Sequence, residues 1–375
     1  MKTKKILITY EIPYPRFDGV SNALKNLQPY FVEHNINVLL VLPKPTVRPA
    51  IQHKPYRSLE VPGVVFPAYL DCTFGLPLLS SGELLERFMP DLVHALAPFA
   101  LGRSVIAASR GMNIPTVGTF TTNIPEFCPY YGLGMLRPLM WKTYKLIHNQ
   151  CDINLAPSEV VKKEMDGHGI SNTSVWGRGI DIVRFSPDKR SDAVRQYLTQ
   201  GHPRRKILLY VGRLSKEKNL VALYKAVKGL KNVHTVIVGD GPYRKHLESL
   251  FSEENCTFTG FLDGDELATA YSSADLFVTP SLTEGFANVV LESLASCIPA
   301  VGFDSNGVAE LIINSGGGLL AEPQNHLDLR EKIIAILESP SLADRLSMKG
   351  RAYAKMRTWD QCFRELLQYY ESLIM

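Results

Sequence analysis

The sequence predicts an α/β protein built from two doubly wound domains. Three observations carry this. Short apolar runs alternate with longer stretches of helical period. The alternation starts afresh at Lys206, after a polar stretch rich in proline, glycine and charge. The 375 residues are enough for two hydrophobic cores. Because each short run is apolar on both of its faces, it reads as a buried parallel strand rather than one half-exposed to water.

The strand candidates in the first half are 6–10, 38–42, 64–67, 92–96, 116–120, 153–156 and 174–176. In the second half they are 207–211, 235–238, 257–259, 276–279 and 300–303. Helical period runs near 20–33, 100–110, 134–150, 158–167, 217–229, 243–251, 263–273, 287–296 and 326–338. Between the halves, Phe185-Ser186-Pro187-Asp188-Lys189-Arg190 and the polar stretch on to Gly201-His202-Pro203 have the composition of a linker. The expected domains are therefore 1–190 and 191–357. The remainder, 358–375, is a last helix that packs on the second domain or returns to the first. Open parallel sheets bind ligands beyond the carboxyl ends of their strands, and two such domains facing each other enclose a central cleft.

Composition excludes several classes. The chain is 45% hydrophobic and 21% charged, which is globular rather than disordered. The net charge of +4 comes without a clustered basic stripe, so no nucleic-acid footprint is present. The cysteines at 72, 128, 151, 256, 297 and 362 are too scattered for a metal knuckle or redox pair, and they fit a reducing compartment. The apolar run Ile6-Leu7-Ile8 is too short for a signal-peptide core, and no run approaches the ~18 apolar residues of a membrane span. The expectation is a cytoplasmic protein, free or at the inner membrane face. Gly132 to Gln150 mixes Met135, Leu136, Leu139, Met140, Trp141 and Tyr144 with Arg137, Lys142 and Lys145. It reads either as an interfacial amphipathic helix or as a core helix with basic ends that reach solvent.

Four segments carry candidate chemistry. In Gly212-Arg213-Leu214-Ser215-Lys216-Glu217-Lys218-Asn219 a strand ends and a helix is expected to start near 217 or 218. Free N–H groups there favour an anion, and Arg213 and Lys218 would make a diphosphate clamp, unless both are solvated surface charges. Gly239-Asp240-Gly241-Pro242 is a tight turn, with proline expected in the first turn of the next helix. In Thr283-Glu284-Gly285-Phe286-Ala287-Asn288-Val289-Val290-Leu291-Glu292, helical rise would set the two carboxylates ~12 Å apart, the span from a hexose across a diphosphate to a ribose. Each carboxylate can accept from paired hydroxyls, and the plainer alternative is acidic decoration of a helix start. Pro15-Arg16-Phe17-Asp18-Gly19 follows the first strand and reads as a turn, or as a backbone approach to phosphate or acceptor. No Asp-x-Asp-like metal motif stands out.

These motifs in this order resemble glycosyltransferase family 4, retaining enzymes of the GT-B fold with two Rossmann-like domains. The matching pieces are the loop at Gly19, Gly212-Arg213 with Lys218, Gly239-Asp240-Gly241-Pro242, Phe258-Thr259-Gly260-Phe261, and Glu284 with Glu292. Finer similarity to a branch of lipid-directed mannosyltransferases and sulfoquinovosyltransferases lies in Pro90-Asp91-Leu92-Val93-His94, Asn123-Ile124-Pro125, Leu155-Ala156-Pro157-Ser158 and Val175-Trp176-Gly177-Arg178-Gly179-Ile180-Asp181.

The resemblance implies that Gly212, Arg213 and Lys218 bind the donor diphosphate, that Gly241 and Gly19 approach it, and that Glu292 holds the ribose. It gives the donor sugar to Glu284 with the amides after Gly285 (Phe286, Ala287 and Asn288), and the base to Phe261 and Leu262. Thr121 stands where many relatives carry a histidine that contacts the donor sugar. Its plainer role would be to pack a methyl and cap a backbone group. The implied reaction is retaining transfer of a hexose, with mannose favoured, from a GDP- or UDP-linked donor to a lipid or glycan. Cationic side chains rather than a metal or cofactor would neutralise the leaving diphosphate, with front-face attack assisted by the leaving phosphate. The alternatives are a nucleotide-sugar-binding protein that has lost catalysis and another GT-B enzyme such as a nucleotide-sugar epimerase.

Overall fold

The computed structural model describes residues 3–14, 19–44, 56–66 and 69–374. The chain divides into two compact units, one of Met1–Arg178 with Trp359–Met375 and one of Gly179–Thr358. The division thus falls at Arg178 and not at 190.

The first unit holds β1 (Lys4–Tyr10), β2 (Ile36–Pro43), β3 (Arg57–Val61), β4 (Gly63–Phe66), β5 (Tyr69–Gly75), β6 (Leu92–Leu96), β7 (Thr116–Thr119), β8 (Ile153–Ala156) and β9 (Thr173–Val175). Seven of these form a parallel sheet in the order β3-β2-β1-β6-β7-β8-β9. The second unit holds β10 (Lys206–Val211), β11 (Val233–Val238), β12 (Cys256–Gly260), β13 (Leu276–Thr279), β14 (Ala300–Phe303) and β15 (Gly318–Ala321). They form a parallel sheet in the order β12-β11-β10-β13-β14-β15.

Both-sided burial explains the apolar runs. In β1, Ile6 and Ile8 join one cluster with Leu24, Leu27, Phe31 and Phe363, while Leu7 joins another with Val93, Leu101 and Val105. In β10, Ile207 and Leu209 face one layer, and Leu208 and Tyr210 the other. The last helix, Trp359–Ile374, belongs to the first unit and buries Trp359, Phe363, Leu366 and Tyr370 there. The Tyr370 hydroxyl lies 2.6 Å from His94 Nδ1 in β6, and burial lowers that imidazole to about 3. Among the described residues no helix is long and apolar enough to cross a membrane.

The strand expected at 64–67 is β4, and it pairs antiparallel with β5 outside the large sheet. Pro67 lies outside the described residues. Edge strand β3 was not foreseen because its exposed face leaves no apolar run. The helices Ser81–Phe88, Asp192–Leu198, Asn306–Ser315 and Pro340–Lys355 were likewise not foreseen. The stretch expected as a linker is folded into the second unit. Ser191 Oγ accepts the N–H of Val194 and starts the helix Asp192–Leu198. From that helix buried Arg195 donates to the carbonyls of Ser273, Pro203 and Arg205 and to Asp275 at 2.9 Å. Its polarity is satisfied internally, which composition cannot reveal.

At the carboxyl edge of the second sheet, the loops after β10 and β11 touch backbone to backbone. Gly239 has φ +129, and a Cβ there would meet the Gly212 carbonyl oxygen at 2.0 Å. A Cβ at Gly241 would meet the Leu214 carbonyl oxygen at 2.4 Å. Across this contact Leu214 N–H donates to Asp240 O at 3.0 Å and Tyr243 N–H to Leu214 O at 2.9 Å. Gly239→Ala is expected to lower stability by about 1–3 kcal/mol from its backbone angle alone, with the steric clash adding to that. A melting temperature equal to that of the native protein would show that the loops part without cost.

Candidate functional site

Strand order reverses in the second sheet between β10 and β13, the position where doubly wound sheets receive ligands. The loop after β10 carries Arg213 and Lys218. Its entry glycine, Gly212, has φ +155, and a Cβ would strike the Tyr210 hydroxyl at 2.8 Å. That hydroxyl donates to Arg213 O at 3.1 Å and so fixes the turn. Ser215 Oγ donates to buried Glu217 at 2.5 Å beneath the loop. The helix start differs from expectation. A short 3-10 turn, Lys216–Lys218, precedes Asn219 at φ +56, and the α-helix runs Leu220–Val227. The N–H groups of Lys218 and Asn219 close that turn on Ser215 O and Lys216 O.

The loop after β13 carries Glu284. Lys218 Nζ lies 2.5 Å from Glu284 Oε1, and both side chains are about four-fifths buried, with 21% and 18% exposed. One ion pair therefore joins the two strands at the reversal point. The Glu284 loop is also held from the β14 side. Ser305 Oγ and Asn306 Nδ2 both donate to Leu282 O at 2.9 Å, and Gly307 N–H donates to Glu284 O at 2.8 Å. A Cβ at Gly307 would meet the Gly285 carbonyl oxygen at 2.7 Å. Sequence reasoning missed Ser305, Asn306 and Gly307. The Ser-Asn-Gly run after an apolar strand was the available signal.

Two expectations for this segment are corrected. Glu284 sits in the loop before the helix and Glu292 within it, as expected, but the α-helix starts only at Asn288, so helical rise does not set their separation. The Asn288 N–H donates to Phe286 O at 3.1 Å and is not offered to a ligand. The N–H groups of Phe286 and Ala287 take no partner among the described residues. Sequence reasoning also missed two buried hydroxyls in this loop, Ser281 Oγ and Thr283 Oγ1, which lack a hydrogen-bond partner among the described residues.

Glu292 is half-buried on its helix, and burial pushes its carboxyl up to about 7. Tyr271 opposes that shift through a 2.9 Å bond from its hydroxyl to Glu292 Oε2. The helix after the Gly241 turn begins at Arg244 rather than at Pro242, and Gly241 N–H donates to Asp240 Oδ1. After β12, Phe261 is 48% exposed and Leu262 packs on the core. Gly239 N–H donates to Gly260 O at 2.8 Å and ties this turn to the other loops. Among the described residues no three His, Cys, Asp or Glu side chains come together as a metal site.

In the first unit, Gly19 is the first residue of the helix Gly19–Glu33, and Pro15–Asp18 lie outside the described residues. Thr121 follows β7. Its Oγ1 is buried and has no hydrogen-bond partner among the described residues, so it does not cap a backbone group there. The structure adds Glu11, at the carboxyl end of β1. Its buried carboxylate accepts the N–H groups of Phe99, Leu101 and Gly102 at 2.7, 3.2 and 2.7 Å. The N-terminus of the helix Ala100–Gly111 is thus occupied by the protein's own anion. Burial outweighs these bonds and raises Glu11 to about 7.

Comparison with known proteins agrees with this architecture. Residues 17–184 match the model of Glycosyltransferase Family 4, and residues 199–353 that of Glycosyl transferases group 1. The chain is 31% identical over 379 residues to a GDP-mannose-dependent alpha-mannosyltransferase of Corynebacterium glutamicum, covering 100% of this chain and 90% of that protein. It is 32% identical to a protein of the same description from Mycobacterium tuberculosis, covering 98% and 97%. It is 28% identical to sulfoquinovosyl transferase SQD2 of Arabidopsis thaliana, covering 96% and 71%. Among solved structures, sucrose-phosphate synthase from Thermosynechococcus elongatus superposes with a TM-score of 0.78 at 20% identity, covering 99% of each chain. Anabaena HepE in complex with UDP-glucose superposes with a TM-score of 0.78 at 18% identity, covering 98% and 99%. Full-length identity above 30% on a two-sheet α/β frame makes the chain a member of glycosyltransferase family 4.

Proposed function

We propose that this glycosyltransferase moves a hexose with retention from a nucleotide diphospho-sugar, GDP-mannose first among candidates, to a lipid or glycan acceptor. The observation that carries the reading is the Lys218–Glu284 pair at the reversal point of the second sheet. It sets a cation for phosphate beside a carboxylate for sugar hydroxyls. Arg213 and Lys218 take the diphosphate, and Lys218 is shared between Glu284 and a phosphate oxygen. As the glycosidic bond lengthens, negative charge grows on the diphosphate, and fixed cations stabilise it without reorganising. Gly212 and Gly241 leave room for phosphate next to backbone. The N–H groups of Phe286 and Ala287 after Gly285 turn to the sugar with Glu284. Glu292 takes the ribose hydroxyls, and Phe261 and Leu262 receive the base. The names of the relatives support GDP-mannose, since three of them carry it.

Arg213→Ala and Lys218→Ala are each expected to lower kcat/KM at least 100-fold, a loss of the size seen for one transition-state donor. The melting temperature should hold in Arg213→Ala and fall in Lys218→Ala, which leaves the largely buried Glu284 carboxylate without its cation. The assay is transfer from a panel of GDP- and UDP-sugars, with the anomeric configuration of the product read by NMR. Near-native turnover in both variants, or an inverted product, would defeat the assignment.

Thr121 favours a second reading, a donor-binding protein with little transfer, because a hydroxyl replaces the imidazole of many relatives. Its unpartnered Oγ1 supports a role in catalysis instead. One hydrogen bond to a sugar or phosphate oxygen is worth ~0.5–1.5 kcal/mol, or up to about tenfold in rate. Thr121→Val keeps the shape and should slow transfer several-fold while the melting temperature holds. Unchanged kcat/KM makes Thr121 structural, and no turnover with any donor in the native protein favours the binding reading.

We further propose that the protein works in the cytoplasm at an anionic membrane face. The helix Arg137–His148 buries Trp141, Tyr144 and Ile147. It leaves Leu139 and Leu146 exposed, as are Met135 and Leu136 just before it. Arg137, Lys142, Lys145 and His168 line an open cavity of about 360 Å³ beside this face. Arg137 is paired with Glu126, whereas neither Lys142 nor Lys145 pairs with a carboxylate among the described residues. Sedimentation with phosphatidylcholine vesicles should show binding only when anionic lipid is added, and binding should weaken in Leu139→Ser and Lys142→Ser. Equal binding to neutral vesicles, or none at low salt, removes the proposal.

A further inference from the structure

Glu292 has one hydrogen-bonding neighbour that family resemblance does not assign. Tyr271, on the helix Gly264–Ser272, is fully buried. Its hydroxyl lies 2.9 Å from Glu292 Oε2 and 3.2 Å from Val289 O. A phenol has one proton to donate. When Glu292 is ionised the proton goes to the carboxylate, where the bond is strongest. When Glu292 is protonated, its O–H donates to the phenol oxygen and the phenol proton turns to Val289 O. The two states differ in which way a single bond runs and in charge: Oε1 accepts in both, and only the ionised carboxylate makes the stronger, charge-assisted acceptor.

We propose that Tyr271 is a positioning residue for nucleotide binding. It holds Glu292 by Oε2, turns Oε1 toward the paired ribose hydroxyls, and favours the ionised state, whose charge strengthens both of those bonds. This rests on the ribose role given to Glu292 above. The surroundings leave the task to Tyr271. No ion pair to Glu292 occurs among the described residues. Of the elements packed against its helix, Gly264–Ser272 also carries Asp265 and Glu266, Asn306–Ser315 carries Glu310, and Pro340–Lys355 carries Asp344, Arg345, Lys349, Arg351, Tyr353 and Lys355. Arg351 is engaged by the carbonyls of Ile182, Phe185 and Ala295. The nearby phenol of Tyr210 acts on Tyr271 rather than on Glu292. Burial disfavours the charge, raising Glu292 to about 7, and the Tyr271 bond is what opposes it.

The test is calorimetric titration with GDP and with UDP between pH 6 and 8.5, on the native protein, Tyr271→Phe and Glu292→Gln. Native affinity should fall as pH drops through about 7, because the carboxyl takes up a proton. Tyr271→Phe removes the hydroxyl alone. It should weaken binding about fivefold at pH 7, where a carboxyl ten times less acidic is ionised in roughly a tenth of molecules rather than half, and the deficit should shrink toward pH 8.5 as Glu292 ionises regardless. A residue needed only for packing would give the same deficit at every pH, and that result, or no deficit, overturns the proposal. Glu292→Gln should bind weakly with no pH dependence across this range. If it binds like the native protein, the ribose role itself fails and takes the proposal with it. A native-protein control needs no variant: a 2′,3′-dideoxynucleotide should bind without the step near pH 7. A step of native size there also overturns the proposal.

Discussion

The candidate site depends on backbone-to-backbone contact at the carboxyl edge of the second sheet. Gly239 lies against the Gly212 carbonyl, Gly241 against Leu214, and Gly307 against Glu284 and Gly285. No side chain separates the loops at these points. The loops after β10 and β11, and those after β13 and β14, are therefore placed by hard contacts and short N–H to carbonyl bonds, and the Lys218–Glu284 pair links the two sets. A protein interior packed this closely transmits small shifts without absorbing them. The positions of Arg213, Lys218 and Glu284 follow from that constraint.

Electrostatics then separates two glutamates that look alike on paper. Glu284 meets a lysine and forms an ion pair. Glu292 meets a phenol, with no ion pair among the described residues, and burial raises its carboxyl to about 7. Two carboxylates in different surroundings can thus differ in charge state, one paired with a neighbouring cation and one left to a neutral donor. The first unit shows a third solution. Glu11 is buried with no ion pair among the described residues and lies on helix N–H groups, so the helix dipole and three hydrogen bonds face its charge. An anion position that a ligand could fill in such a fold is here filled by the chain.

Much of this was legible from residues alone. Runs such as Ile207–Val211 and Thr235–Val238 declare buried parallel strands, because a sheet covered on both faces accommodates them. The positions of Arg213, Lys218 and Glu284 mark the loops that carry charge, Glu292 marks the helix that follows, and Gly212 and Gly239 mark the turns that need positive φ. Local pattern specifies these features because they depend on near neighbours in the chain.

Tertiary structure decided what depends on distant partners. The stretch 185–203 has the composition of a linker, yet it is folded because the Ser273 carbonyl and the Asp275 carboxylate, 78 and 80 residues away, take the Arg195 guanidinium. Trp359–Ile374 follows the second unit in sequence and belongs to the first, because His94 and its apolar neighbours offer the matching face. Glu284 and Lys218, 66 residues apart, become one ion pair through the order of two strands. Tyr271 reads as a core aromatic until its hydroxyl is seen to reach Glu292. The sequence by itself determined the periodicities, the turns and the charged loops, since these are set by short-range sterics and burial. Which charge meets which partner was left to the fold, since a buried group's state is set by the atoms around it.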